Sequence, residues 1–107
     1  DPMSTIPTTT PRYREAMGGL LALYTQVDAL IGAACDDRLA SAPDAEARAG
    51  LSKQVADERR HVEIQERWIA AFGTDPAPPI PAAAAEAVLG YFAALSWIDF
   101  LADLYLG

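Results

Sequence analysis

Asp57-Glu58-Arg59-Arg60-His61-Val62-Glu63-Ile64-Gln65-Glu66-Arg67-Trp68-Ile69 contains the only histidine of the chain, and its reading decides the fold. Apolar residues recur through and around it at steps of three, four or seven: Leu51, Val55, Val62, Ile69 and Phe72 form one stripe. That spacing predicts an amphipathic helix. Glu58 and Gln65 occupy two positions where the stripe should be apolar, and His61 lies one turn after Glu58, with Ile64 and Trp68 beyond it. A carboxylate aimed at a core must be paired, protonated or metal-bound, because burying it bare costs on the order of several kcal/mol.

The rest of the composition agrees with helices. Of the 107 residues 51% are apolar, alanine is abundant, aromatics are few, and almost no run alternates as a strand would. The expected class is all-α in a single domain. Acidic residues outnumber basic ones by 15 to 8, a formal charge of -7. This balance argues against nucleic-acid binding, which needs a basic footprint, and against docking on anionic membranes. One cysteine, Cys35, cannot form an internal disulfide, and no basic segment followed by an apolar one opens the chain, so the expected location is cytoplasmic.

Outward from the quoted stretch, residues 1–9 read as a disordered tail and 10–107 as one helical domain. Thr10-Pro11 reads as a cap and first helical residue, opening a helix to about residue 40. Its inward stripe is Met17, Leu21, Tyr24, Ile31 and Cys35, with Asp28 in the central slot as the only formal charge between Ala16 and Cys35. A second face carries Leu20, Leu23, Val27 and Leu30, and a third is nearly all small. A helix apolar or small all round is buried all round, which one short chain cannot achieve, so an obligate oligomer is expected. The stretch is long enough to span a bilayer, but Asp28, Gln26, its glycines and the lack of basic flanks argue against that. Ser41-Ala42-Pro43-Asp44 has the spacing of a capping box, starting a helix over 44–72 that Gly73 stops. A proline-rich connector over 74–81 leads to a third helix over 82–106.

Three consecutive helices joined by short connections are expected to run antiparallel. Residues equidistant from a hairpin turn lie at one level. With the first turn centred near residue 43, Asp28 is level with Glu58; with the second centred near 78, Asp99 falls close to the same level. The candidate metal ligands are therefore Glu58, His61, Asp28 and Asp99. An oxygen-rich set with one imidazole suits iron or manganese better than structural zinc, and Cys35 reads as plain core. Tyr24, one turn before Asp28, reads as packing or as a hydrogen-bond donor or electron carrier beside the site.

Asp57-Glu58-Arg59-Arg60-His61 resembles the Asp-Glu-x-Arg-His string of ferritin-like di-iron carboxylate proteins, among them ferritins, rubrerythrins, acyl-carrier-protein desaturases and bacterial multicomponent monooxygenases. The resemblance implies Glu58 as a bridging or chelating carboxylate, His61 as the imidazole ligand and Asp57 as an acid that orients a ligand histidine. Asp28 would fill the first-helix slot, where the family usually has glutamate. A full site takes two Glu-x-x-His motifs and this chain has one. Two copies paired about a two-fold axis, a lost site, or a piece of a longer protein would each account for that.

Two readings follow. In the first, the chain completes a ferritin-like bundle as a homodimer, or with a related helical subunit. That assembly binds two iron (or manganese) ions and performs oxidase or oxygenase chemistry with O2, on iron or on an apolar small molecule. In the second, it is a non-enzymatic oligomerisation or partner-binding module whose Asp28, Glu58 and His61 form a buried polar network that sets register. A subunit of a larger oxygenase is a third arrangement of the same parts.

Overall fold

The computed structural model describes residues 10–106, leaving out the side chain of Leu106; the expected tail over 1–9 lies outside them. The described residues form four helices and no strand: α1 Pro11–Leu39, α2 Ala45–Phe72, α3 Ala82–Ala94 and α4 Trp97–Leu106. Helix α1 starts as read, with the Tyr13 amide donating to Thr10 Oγ1 at 3.1 Å and proline in its first turn. The next cap differs from the expected one. Asp44, not Ser41, starts α2 by accepting from the Ala47 amide at 2.8 Å, while Ser41 folds back on the carbonyl of Arg38. Gly73 ends α2 at φ 72, the left-handed conformation that glycine adopts without strain.

Helices α1 and α2 form a long antiparallel hairpin. Thr25 Oγ1 meets Gln65 Oε1 at 2.9 Å, Tyr13 stacks edge-on against Phe72, and Gly18 admits Thr74 where any side chain would collide. The densest packing lies at the turn end: Ala34, Cys35, Leu51, Val55 and Phe100 are buried together, with Ile31, Leu39, Leu89, Phe92, Leu95, Trp97 and Leu104 around them. Tyr24, expected in the inward stripe, is 52% exposed. Leu20, Leu23 and Val27 are exposed as well. Among the described residues α1 is the one helix long and apolar enough to cross a membrane by length and composition.

The expected third helix over 82–106 is in fact two. The connector does not turn back on itself; it climbs α1. Thr74 lies at Gly18 and Ile80 at Gln26, whose side-chain amide brackets the Ile80 peptide with two bonds of 2.8 Å. From there α3 runs parallel to α1 at a constant offset of 54 residues, from Gln26 and Ile80 to Arg38 and Phe92. The level of Asp28 is thus reached by Ala82, and Asp99 comes after the break at Leu95, next to Phe100, which packs with Ala34, Cys35 and Arg38 towards the turn end of the hairpin. Counting from a tight turn fails here because extended chain rises about twice as far per residue as helix.

Arg38 sets where α3 stops. Buried to 6% exposure, its Nη2 donates to the Phe92 carbonyl at 2.6 Å and to the carbonyls of Ala93 and Leu95. A cation at a helix C-terminus satisfies carbonyls that have no partner within the helix and opposes the negative end of its dipole. The guanidinium also sits over the rings of Phe100, at 4.6 Å, and Trp97, at 5.3 Å. Leu95 is extended, and Ser96 then caps α4: its Oγ accepts from the Asp99 amide at 3.3 Å and donates to Asp99 Oδ2 at 3.0 Å. This is the capping-box spacing again, at Ser96 and Asp99.

Arg38→Met keeps the apolar stem and removes the cap and ring contacts. It should lower stability by about 2–4 kcal/mol in urea unfolding, the sum expected for charge-assisted bonds and a desolvated cation over rings. Trp97 emission, read in a Trp68→Phe background, should shift to the red as α4 detaches. An unshifted spectrum with unchanged stability would refute this role.

Candidate metal centre

The hairpin brings Asp28, Glu58 and His61 together: one donor atom from each lies within 4.8 Å of the others. Helix periodicity accounts for this. Glu58 faces α1 from the α2 stripe, His61 follows one turn later on its edge, and Asp28 meets them from the centre of α1. Gly32 makes the approach of the helices tolerable, since a Cβ there would stand 3.2 Å from Glu58 Cβ.

Two side-chain amides hold the carboxylates. Gln54 Nε2 donates to Glu58 Oε1 at 2.9 Å, and Gln65 Nε2 donates to Asp28 Oδ2 at 2.8 Å. The sequence marks Gln65 as a polar break in the stripe, and its partner explains the break. Gln54, one turn before Glu58, carries no signal in the sequence that marks it.

Glu58 Oε2 is different. Glu58 is 6% exposed, and this oxygen is buried with no hydrogen-bond partner among the described residues. The nearest basic atom, His61 Nδ1, stands 3.7 Å away, beyond hydrogen-bond range. Burial, then the neighbouring Asp28, raises the Glu58 pKa; the Gln54 bond and His61 oppose this in part. Cys35, fully buried nearby, has its thiol pushed up to about 11 by burial and then by the charge of Glu58. It stays a protonated core residue at neutral pH.

The remaining candidates lie apart. Asp99 is exposed and engaged in the Ser96 cap, away from the triad. Asp57 bonds Lys53 at 2.8 Å and Arg60 at 3.5 Å, and the Lys53 bond is the main cause of its lowered pKa. Tyr24 stands exposed one turn before Asp28, with no hydrogen bond to it.

The donor set fits a hard divalent ion. Donors around such an ion, with bonds of about 2.1 Å, lie roughly 3.0–4.2 Å apart. The triad's donors, all within 4.8 Å of one another, come close to that range, and the His61 side chain is half exposed. Two carboxylates facing each other, one with a bare oxygen, are a poor hydrogen-bond network and a good cation cage.

The raised Glu58 pKa fixes a sign. The folded state holds this proton more tightly than the unfolded chain. The group's contribution to stability is therefore greatest below its unfolded pKa, about 4.3, and is lost as pH rises through the folded value. In metal-free protein, Glu58→Gln should raise stability at pH 7 by about 1 kcal/mol or more, some 4–8 °C in Tm per kcal/mol. The gain should vanish near pH 4. Melting curves at the two pH values decide it, and an unchanged or lower Tm at pH 7 would show that the carboxylate is not under strain. No family model, no curated protein and no solved structure matches this chain.

Proposed function

We propose that the chain supplies half of a di-metal carboxylate centre, binding iron or manganese through Glu58, His61 and Asp28 and using it in oxidase or oxygenase chemistry with O2. The observation that carries the reading is the bare oxygen of Glu58, buried opposite a second carboxylate and 3.7 Å from an imidazole. A network that served only to set register would close its own bonds, as Gln65 does between Asp28 and Thr25. Oε2 is left out of that closure, which favours the metal over the register reading.

In this scheme Glu58 offers Oε2 while Gln54 keeps Oε1 in place, and Gln65 fixes the rotamer of Asp28, so both carboxylates are held ready before an ion arrives. His61 binds as the neutral base, with the proton on the ring nitrogen away from the ion. A redox-active ion pair, when bound, would supply electrons to O2, while the chain orients ligands and limits water.

Three donors leave an ion short of ligands, and the face beside them is apolar. Tyr24, Val27, Ile64 and Trp68 are exposed there, on the His61 side of the hairpin. A second copy seated on that face about a two-fold axis would cover it and bring a second Asp-Glu-His set to the first.

Protein purified without a histidine tag and incubated anaerobically with ferrous or manganous salt should carry about one metal per chain and run as a dimer by light scattering. His61→Ala and Glu58→Gln should lose metal affinity by more than about 100-fold, beyond the loss typical of an outer-shell change. Val27→Glu should give a monomer with weakened metal binding. Wild-type protein that stays metal-free under these conditions would rule the centre out.

A further inference from the structure

The hairpin has two unlike flanks, and the second one has no role in the reading above. At 100° per residue, Tyr24, Val27, His61 and Ile64 fall to one side of the Asp28–Glu58 axis. To the other side runs a trough made of two depressions that share Ala29 and Val62. The upper one, about 360 Å³, has Asp28 and Glu58 in its wall and Gly32 in its floor. The lower one, about 460 Å³, continues to the proline connector. Beyond the two triad carboxylates, Asp36, Glu63, Glu66 and Asp75 line the trough, and Arg59 is the only base among its lining residues.

We propose that this trough is the route by which a hydrated divalent cation reaches Asp28 and Glu58; the proposal rests on the metal reading of the triad. Charge, space and the end point agree on it. A concave surface walled by carboxylates over an apolar, low-dielectric floor concentrates cations and speeds their arrival. The upper depression has room for a hexaaqua ion, whose six waters take about 30 Å³ each. At its end stands a carboxylate 94% buried whose Oε2 has no hydrogen-bond partner among the described residues, so an ion that sheds water there gains a ligand. The opposite flank carries no such row of acids: beside half-exposed His61 it presents Tyr24, Val27, Ile64 and Trp68, and on the proposed reading a second copy of the chain would cover it. Gly32 keeps the last step open, since a side chain there would press on Glu58 and fill the floor.

The test uses Co²⁺, which develops visible absorption bands on entering a carboxylate–imidazole site, mixed with the full chain in a stopped-flow instrument. Asp36→Asn/Glu63→Gln should slow the bimolecular phase by about five- to tenfold at ~20 mM salt, with the final amplitude unchanged, and the difference should vanish near ~500 mM. Arg59→Gln should accelerate the same phase by about two- to fivefold at low salt, by the same steering argument with the opposite sign. A control of equal charge change at the two ends of the hairpin, Glu15→Gln/Glu46→Gln, should leave the rate within about twofold of wild type. Equal rates in the trough and control variants would overturn the route and leave the centre standing. Absence of any Co²⁺ band in wild-type protein would overturn the centre, and the route with it.

Discussion

A carboxylate shut between two helices with one oxygen unmatched is the constraint around which this hairpin is arranged. Glu58 occupies a position that heptad-like spacing reserves for an apolar residue, and the chain accommodates it by locally thinning α1 at Gly32. Gln54 relieves one oxygen, whereas Asp28, placed opposite, makes the other costlier to ionise. A methionine at 58 and a leucine at 28 would pack the same seam without that cost, so packing alone gives no account of the pair.

The same small protein shows what a fully settled buried charge looks like. Arg38 is as deeply buried as Glu58 and pairs with no carboxylate among the described residues, yet its guanidinium is matched by three main-chain carbonyls and two ring faces. Those contacts end α3, turn the chain at Leu95 and seat Phe100 in the core. Arg38 therefore has a complete structural explanation, and Glu58 does not. The difference lies in partners, since burial is equal.

How much of this could be read from the sequence follows the length scale of each interaction. Thr10-Pro11, Gly73 and the stripe from Leu51 to Phe72 act within one or two turns, and they placed α1 and α2 to within a residue or two. Asp28 could be put level with Glu58 because a tight connection makes residue counting a ruler. The ruler broke at the proline connector, where extended chain climbs along α1, and Asp99 was carried to the turn end of the hairpin, away from Asp28. Ser96 and Asp99 have the capping spacing also present at Ser41 and Asp44, but only Ser96 caps as that spacing suggests. Asp44 caps by itself, and the break at Leu95 depends on Arg38, whose partners lie 54–57 residues away. Tyr24 was misplaced for a related reason: periodicity gives a face, and only the partner helix decides how wide the buried part of that face is.

The apolar length of α1 also takes its meaning from these contacts. Thr25, Gln26 and Asp28 are tied to Gln65 and to the Ile80 peptide, so one side of α1 is already engaged in polar bonds across the seam and along the connector. What remains apolar is a flank bordering the triad, opposite a flank lined by acids. A helix apolar on all sides would suit lipid; one with a polar seam between an oily flank and an acidic one suits a helical partner on one side and an ion on the other. On the proposed reading the two flanks answer one need, because three donors in an open groove hold an ion weakly. A second chain adds ligands and excludes water from the oily side, while the acidic side leaves the ion a way in.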